Sequence, residues 1–293
     1  MKYSVYVMLA GCLWGVVSVF INVLTEAGLT SMQCVAIRSV LTALILFVYL
    51  MISDRSLKIR ARHIPCFLGM GIISVVFFNF CYFRCINLMG GAAVPALLLY
   101  TAPVFVILLS AIFFGERITS RKVIAMILTF AGLVVVTGAL TGGETVSMTA
   151  VAYGLGAGIG YALYSIFGKF VVGKYDPVTI IFYTFVVAAV ASVPISGVRG
   201  SLGILTEPNV LPAVLGLVLI STVAPYMLYT TGLSGIEAGK ASILATVEPV
   251  TAAIVGVLFF HETMTLSKIL GMLLILGAIV YLNLGGHGNS RKR

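Results

Sequence analysis

Apolar residues in this chain form long unbroken runs, separated by short polar or Gly/Pro-marked breaks. Ten such runs can be cut, at approximately 4–24, 32–52, 64–87, 91–113, 121–139, 150–171, 177–198, 211–232, 238–260 and 266–284. Each is close to the roughly 20 residues that a helix needs to cross a bilayer. Strands of a membrane barrel would alternate apolar and polar residues over about ten positions. These runs do not alternate, and a helix satisfies its own backbone groups in lipid, so the pattern predicts ten transmembrane helices.

Composition agrees. Of 293 residues, 60% are hydrophobic and 9% are charged, against roughly 25% charged in soluble proteins, and the mean hydropathy is +1.15. Too few charges remain to cover a water-facing exterior, which excludes a soluble enzyme, a secreted disulfide scaffold and a disordered chain. The five cysteines (Cys12, Cys34, Cys66, Cys81 and Cys85) lie in or beside apolar runs with no metal-ligand spacing, and read as small packing residues. Leu9-Ala10-Gly11-Cys12 imitates a lipoprotein cleavage box, but the apolar run continues another dozen residues, as a span does and a cleaved leader does not.

The net charge of +9 is a topology signal. With the N-terminus in the cytoplasm, the inner segments carry Lys2, Arg55, Lys58, Arg60, Arg62, Arg117, Arg121, Lys122, Lys169, Lys174, Lys240, Arg291, Lys292 and Arg293. The outer segments carry Arg84, Arg199 and Lys268, and Arg38 lies within a span. This asymmetry places both termini in the cytoplasm and requires no nucleic-acid partner.

The chain also repeats itself. Residues 103–135 align without a gap on 249–281, pairing Phe113-Phe114-Gly115-Glu116 with Phe259-Phe260-His261-Glu262, and Lys122 with Lys268. At a similar offset Trp14, Ser18 and Phe20 fall on Tyr161, Ser165 and Phe167. Two halves follow, 1–143 and 144–293, with five spans each. Because five is odd, the second half enters the membrane upside down. The expected fold is an all-α polytopic membrane protein of two inverted five-helix repeats, an arrangement characteristic of secondary transporters.

Thr246-Val247-Glu248-Pro249-Val250-Thr251-Ala252, then Phe259-Phe260-His261-Glu262-Thr263, then Gly271-Met272-Leu273-Leu274-Ile275-Leu276-Gly277 resembles the EamA family of the drug/metabolite transporter superfamily. Thr101-Ala102-Pro103-Val104 and Phe114-Gly115-Glu116-Arg117 repeat the pattern in the first half. Ala102 replaces the acid before proline, and His261 replaces the usual glycine. The resemblance implies ten helices and export of amino acids or other small metabolites. The family also includes sugar-related carriers and drug exporters, so the substrate does not transfer.

Ionisable groups are costly in a bilayer, roughly 2.5–3.5 kcal/mol each at a helix centre, so the few present are informative. Glu248 is the one acid in mid-span. It suits a proton site or a partner for a substrate ammonium, and equally a hydrogen bond to the backbone that Pro249 loosens. Arg38 suits a substrate carboxylate, a pairing with Glu248, or snorkelling to the interface. Trp14, Tyr82, Tyr100, Tyr161, Tyr164, Tyr226 and Tyr229 lie deeper than interfacial aromatics do, and each polar ring atom needs a partner there. Together with Ser18 and Asn79 they are the candidate lining of a substrate cavity, with packing as the competing role. Pro95, Pro103, Pro194, Pro225 and Pro249 fall within spans, and Gly154, Gly156, Gly158 and Gly160 form a small-residue face suited to close packing.

No nucleotide-binding loop, nucleophile elbow or zinc-protease motif occurs, and His63, His261 and His287 are read as loop residues. The expected protein is a secondary transporter in the cytoplasmic membrane, moving a small metabolite by alternating access without a cofactor and with proton coupling open. A multidrug exporter, a lipid-linked sugar flippase and an intramembrane enzyme are the alternatives. Monomer and homodimer are both compatible with the chain.

Overall fold

The computed structural model describes residues 2–53, 55–90, 92–138 and 147–284. The join between the two expected halves lies outside them, as do Asp54, Gly91, Glu144, His287 and the basic Arg291-Lys292-Arg293.

Among the described residues, ten helices are long and apolar enough to span a membrane. They are α1 (Lys2–Glu26), α2 (Ser31–Ile52), α3 (Ala61–Met89), α4 (Ala93–Phe114), α5 (Ser120–Thr137), α6 (Met148–Val171), α7 (Pro177–Ser196), α8 (Val210–Leu233), α9 (Ala238–Phe260) and α10 (Leu266–Leu284). No β-sheet forms among these residues. Side-chain oxygens start several helices: Thr30, Thr119, Ser147, Asp176 and Thr265 each accept a backbone N–H from the first turn that follows. Gly90, Gly115, Gly138 and Gly197 end helices in the left-handed region, where His261 alone among the non-glycine residues described has φ +54°.

Several spans are interrupted, and the interruptions come in pairs. α4 breaks at Tyr100–Thr101, just before Pro103, and α9 breaks at Thr246–Val247, just before Pro249. In each, proline sits in the first turn of the resumed helix, where its missing N–H costs nothing. α3 contains a π-helical stretch at Gly69–Phe77 and α8 one at Leu219–Val223. α1 is broken at Val16.

The main packing pairs are α1 with α8, α3 with α6, α2 with α7, α5 with α10, α1 with α9, and α4 with α6. Shifting each helix number by five returns the same scheme, which fits two like halves. Glycines set the closest approaches. A Cβ on Gly11 would stand 2.7 Å from the Ala245 carbonyl and one on Gly15 2.7 Å from that of Glu248, so α1 lies directly on the break of α9. The glycine face of α6 packs as its composition suggests. Gly154 lies against Leu98, Gly158 against Thr101 and Gly160 against Phe78.

His63 departs from expectation. It is buried in the first turn of α3, and its Nδ1 shares a 2.6 Å hydrogen bond with the Tyr175 hydroxyl.

Candidate functional site

One cavity of about 700 Å3 runs from the middle of the bundle to the end away from the N-terminus of α1. Its floor is built by the helix breaks. Opening α9 at Thr246–Val247 puts Glu248 on the first turn of the resumed helix, facing the cavity at mid-depth. The Tyr161 hydroxyl, from α6, donates to Glu248 Oε2 at 3.2 Å, and Tyr100 stands beside the same carboxyl from the matching break in α4. Asn79, just after the π-helical stretch of α3, donates to the Val75 carbonyl at 2.7 Å, and Ser221 reaches the cavity from the matching stretch of α8. Irregular backbone at membrane depth is tolerated where it lines such a space.

Arg38 enters from α2. It is 8% exposed and lines the same cavity as Glu248. Among the described residues its guanidinium forms no ion pair, and neither its Nε nor the Thr42 hydroxyl one turn away has a hydrogen-bond partner. In this conformation it neither pairs with Glu248 nor snorkels. Arg84 behaves differently: it is exposed, with its guanidinium 6.0 Å from the Tyr153 ring.

The aromatic residues sort into two layers. Trp14, Tyr82, Tyr100, Tyr161 and Tyr226 line the cavity, as do Ser18 and Asn79. Trp14 is the hub, edge-on to Tyr161 and Tyr226 at 6.1 and 5.4 Å and tilted against Tyr229 at 5.3 Å. Tyr164 and Tyr229 do not line the cavity; they stand behind it. The Tyr164 hydroxyl shares a 2.9 Å hydrogen bond with Thr230, and that of Tyr229 a 2.6 Å hydrogen bond with Ser165. Their polar atoms are satisfied inside the protein, so their depth in the chain reflects a buried wall.

The lining of this cavity does not reach the opposite end of the bundle, where charged side chains link the helices. The Glu116 carboxylate accepts the backbone N–H groups of Ala238 and Gly239 at 2.7 and 3.1 Å, capping α9 from the other half of the chain. Lys122, 4% exposed, reaches Glu237 at 2.8 Å and Glu116 at 3.6 Å. Lys169 donates to the carbonyls of Leu233 and Ile236 at 3.0 and 2.6 Å. Arg55 and Asp176 form a further ion pair nearby. The signal for these links was present in the duplicated Phe-Phe-x-Glu motif, whose second copy places Glu262 and Lys268 at the cavity mouth. Among the described residues no cluster of His, Cys, Asp and Glu could hold a metal ion.

A profile of the EamA-like transporter family matches residues 1–138 and 148–284. An uncharacterized transporter of Archaeoglobus fulgidus is 32% identical over 188 residues, covering 64% of this chain and 66% of that protein. The uncharacterized transporter YwfM of Bacillus subtilis is 26% identical over 281 residues, covering 95% and 93%. The threonine/homoserine exporter RhtA of Escherichia coli is 31% identical over 147 residues, about half of each chain (50% and 48%). A solved crystal structure superposes with a TM-score of 0.78 over 97% of this chain and 99% of its own, at 17% identity, a likeness of fold.

Proposed function

The chain belongs to the EamA-like transporter family, and from that premise we propose that it is a secondary transporter that exports a small zwitterionic metabolite, an amino acid or close relative, by alternating access. The observation that carries the reading is the pairing, in one cavity, of an unpartnered guanidinium and a carboxyl. Arg38 offers a planar fork for a substrate carboxylate. Glu248, held by Tyr161, offers an acceptor for an ammonium group or a proton. Trp14, Tyr100 and Tyr226 form an aromatic wall for the remainder of the substrate. The relative named as a threonine/homoserine exporter supports this class of substrate. A buried, unpaired guanidinium repels the lipophilic cations that a multidrug exporter would carry, which favours the zwitterion.

The basic segments lie at the closed end and the cavity opens at the other. With the positive-inside rule, both termini are cytoplasmic, and the conformation faces outward. Trp14 and Tyr161, aligned by the sequence repeat, are in edge contact at 6.1 Å, which supports alternating access around a central site. Substrate partner, lipid surroundings and an inner-membrane or plasma-membrane location are part of the same proposal.

Two experiments test it. A thermal-shift screen of amino acids on purified protein should find a ligand that raises its stability; a flat response across the amino acids refutes the substrate class. In liposomes with an imposed pH gradient, Glu248→Gln should abolish proton-driven accumulation of that ligand. Accumulation unchanged from the parent refutes coupling at Glu248.

A further inference from the structure

The duplicated Phe-Phe-x-Glu motif builds two loops of the same shape at opposite ends of the bundle. Gly115 and His261 both sit in the left-handed region, at φ +65° and +54°. The N–H that follows then turns back to the preceding helix, Glu116 to the Ser110 carbonyl at 3.3 Å and Glu262 to that of Gly256 at 3.0 Å. Thr119 and Thr265 next accept the backbone N–H of Lys122 and Lys268, at 3.3 and 3.2 Å. The backbones are alike, and the carboxylates differ in what they hold. The Glu116 side chain is 7% exposed and crosses to the start of α9, bonding Ala238 and Gly239. Among the described residues Glu262 makes no such crossing: its 2.7 Å contact is with Lys268 in the first turn of α10, and its side chain is 52% exposed at the cavity mouth.

The offset of 146 that relates Glu116 to Glu262 relates Ala238 and Gly239 to Ala92 and Ala93, at the start of α4. Among the described residues no side chain caps that start. Ala92 and Ala93 line the same cavity mouth as Glu262 and Lys268. The carboxylate, its lysine and the helix start that it caps therefore each have a counterpart at the open end, with the contact between carboxylate and helix start unmade.

We infer that Glu116 and Glu262 are alternating latches, each sealing one end of the transport path by capping the first turn of the fourth helix of the other half. In the state shown, Glu116 is engaged across the halves and Glu262 is held only by Lys268. In the opposite state Glu262 accepts the N–H groups of Ala92 and Ala93, with Lys268 alongside, and Glu116 leaves Ala238 and Gly239. The first latch is the stronger, because Lys122 also holds Glu237, whereas the matching position in the first half is Gly91. The resting protein is thereby biased toward closure at the Glu116 end. This rests on the transporter reading above, and it adds the residues that gate the site.

The test uses the full chain with its five cysteines replaced and one reporter, Ala253→Cys, which lines the cavity one turn beyond Pro249. The rate at which a bulky water-soluble maleimide labels this cysteine reports how open the far end is. Glu116→Gln should slow labelling, by about tenfold for the loss of charge-assisted hydrogen bonds from one state of a two-state equilibrium. Glu262→Gln should speed labelling by less than about twofold, because the state open at the far end already predominates, and the double variant should return toward the parent. Lys122→Gln, which weakens the first latch from its cationic side, should slow labelling as Glu116→Gln does, and melting curves identify any variant that fails to fold. Single variants that shift labelling in the same direction, or a double variant as slow as Glu116→Gln alone, overturn the latch. Labelling needs no substrate. A flat amino-acid screen with opposed labelling shifts therefore removes the substrate proposal and leaves the latch standing, while the reverse pair of results removes the latch alone.

Discussion

Arg38→Met should make the empty protein more stable and unable to bind its ligand. Arg38 is 8% exposed, forms no ion pair among the described residues, and has an unpartnered Nε. An unsatisfied buried donor costs about 1–3 kcal/mol, and a cation deep in a membrane helix roughly 2.5–3.5 kcal/mol. The two overlap, and the cavity side relieves part of the cost, leaving about 1–3 kcal/mol for methionine, which fills much of the same volume, to recover. At about 2–4 °C per kcal/mol for chains approaching this size, melting should rise by several degrees. Ligand at 100 times its dissociation constant should add about 2.7 kcal/mol to the parent and nothing to Arg38→Met. Arg38→Lys serves as the control: it keeps the buried charge, loses the two-pronged geometry, and should show no gain in stability with weakened binding. Melting curves with and without the ligand found in the amino-acid screen decide the matter. A lower melting temperature for Arg38→Met would mean that Arg38 holds the helices together. A ligand shift that survives the substitution would remove Arg38 from the site. Either result refutes the reasoning.

Tyr229→Phe strands the Ser165 hydroxyl without reaching the cavity, so it should cost about 1–3 kcal/mol of stability with ligand affinity nearly unchanged, as thermal unfolding and titration calorimetry would report. Tyr161→Phe removes the 3.2 Å hydrogen bond to Glu248 at the cavity wall, so its effect should appear in ligand affinity and in the pH dependence of transport, a split that separates the two aromatic layers. His261→Gly relieves a left-handed non-glycine position and should stabilise the fold by up to about 1 kcal/mol, read as a small rise in melting temperature with transport retained.

The helix count and the approximate span limits were legible along the chain. A bilayer imposes a fixed length on every crossing and requires each span to satisfy its own backbone, and both demands are local. Proline positions likewise marked where α4 and α9 break, because a ring at that position suits only the start of a new helical segment. Depth along a span could therefore be read, and depth is what brought Arg38, Glu248 and the deep aromatic residues forward together. Facing could not be read. A one-residue step turns a side chain by about 100° around the helix, and in lipid the outward face is as apolar as the inward one, so hydropathy carries no contrast between cavity, core and membrane. Tyr161 and Tyr164, three residues apart on α6, illustrate this: one reaches Glu248 in the cavity and the other is tied to Thr230 behind it. Glu116 and Glu262 occupy equivalent places in the sequence, yet one side chain is held against α9 and the other is exposed at the mouth. Only the packed arrangement of the two halves decided which carboxylate was engaged, because a duplicated sequence builds the same loop twice while a closed end and an open end must coexist in one conformation.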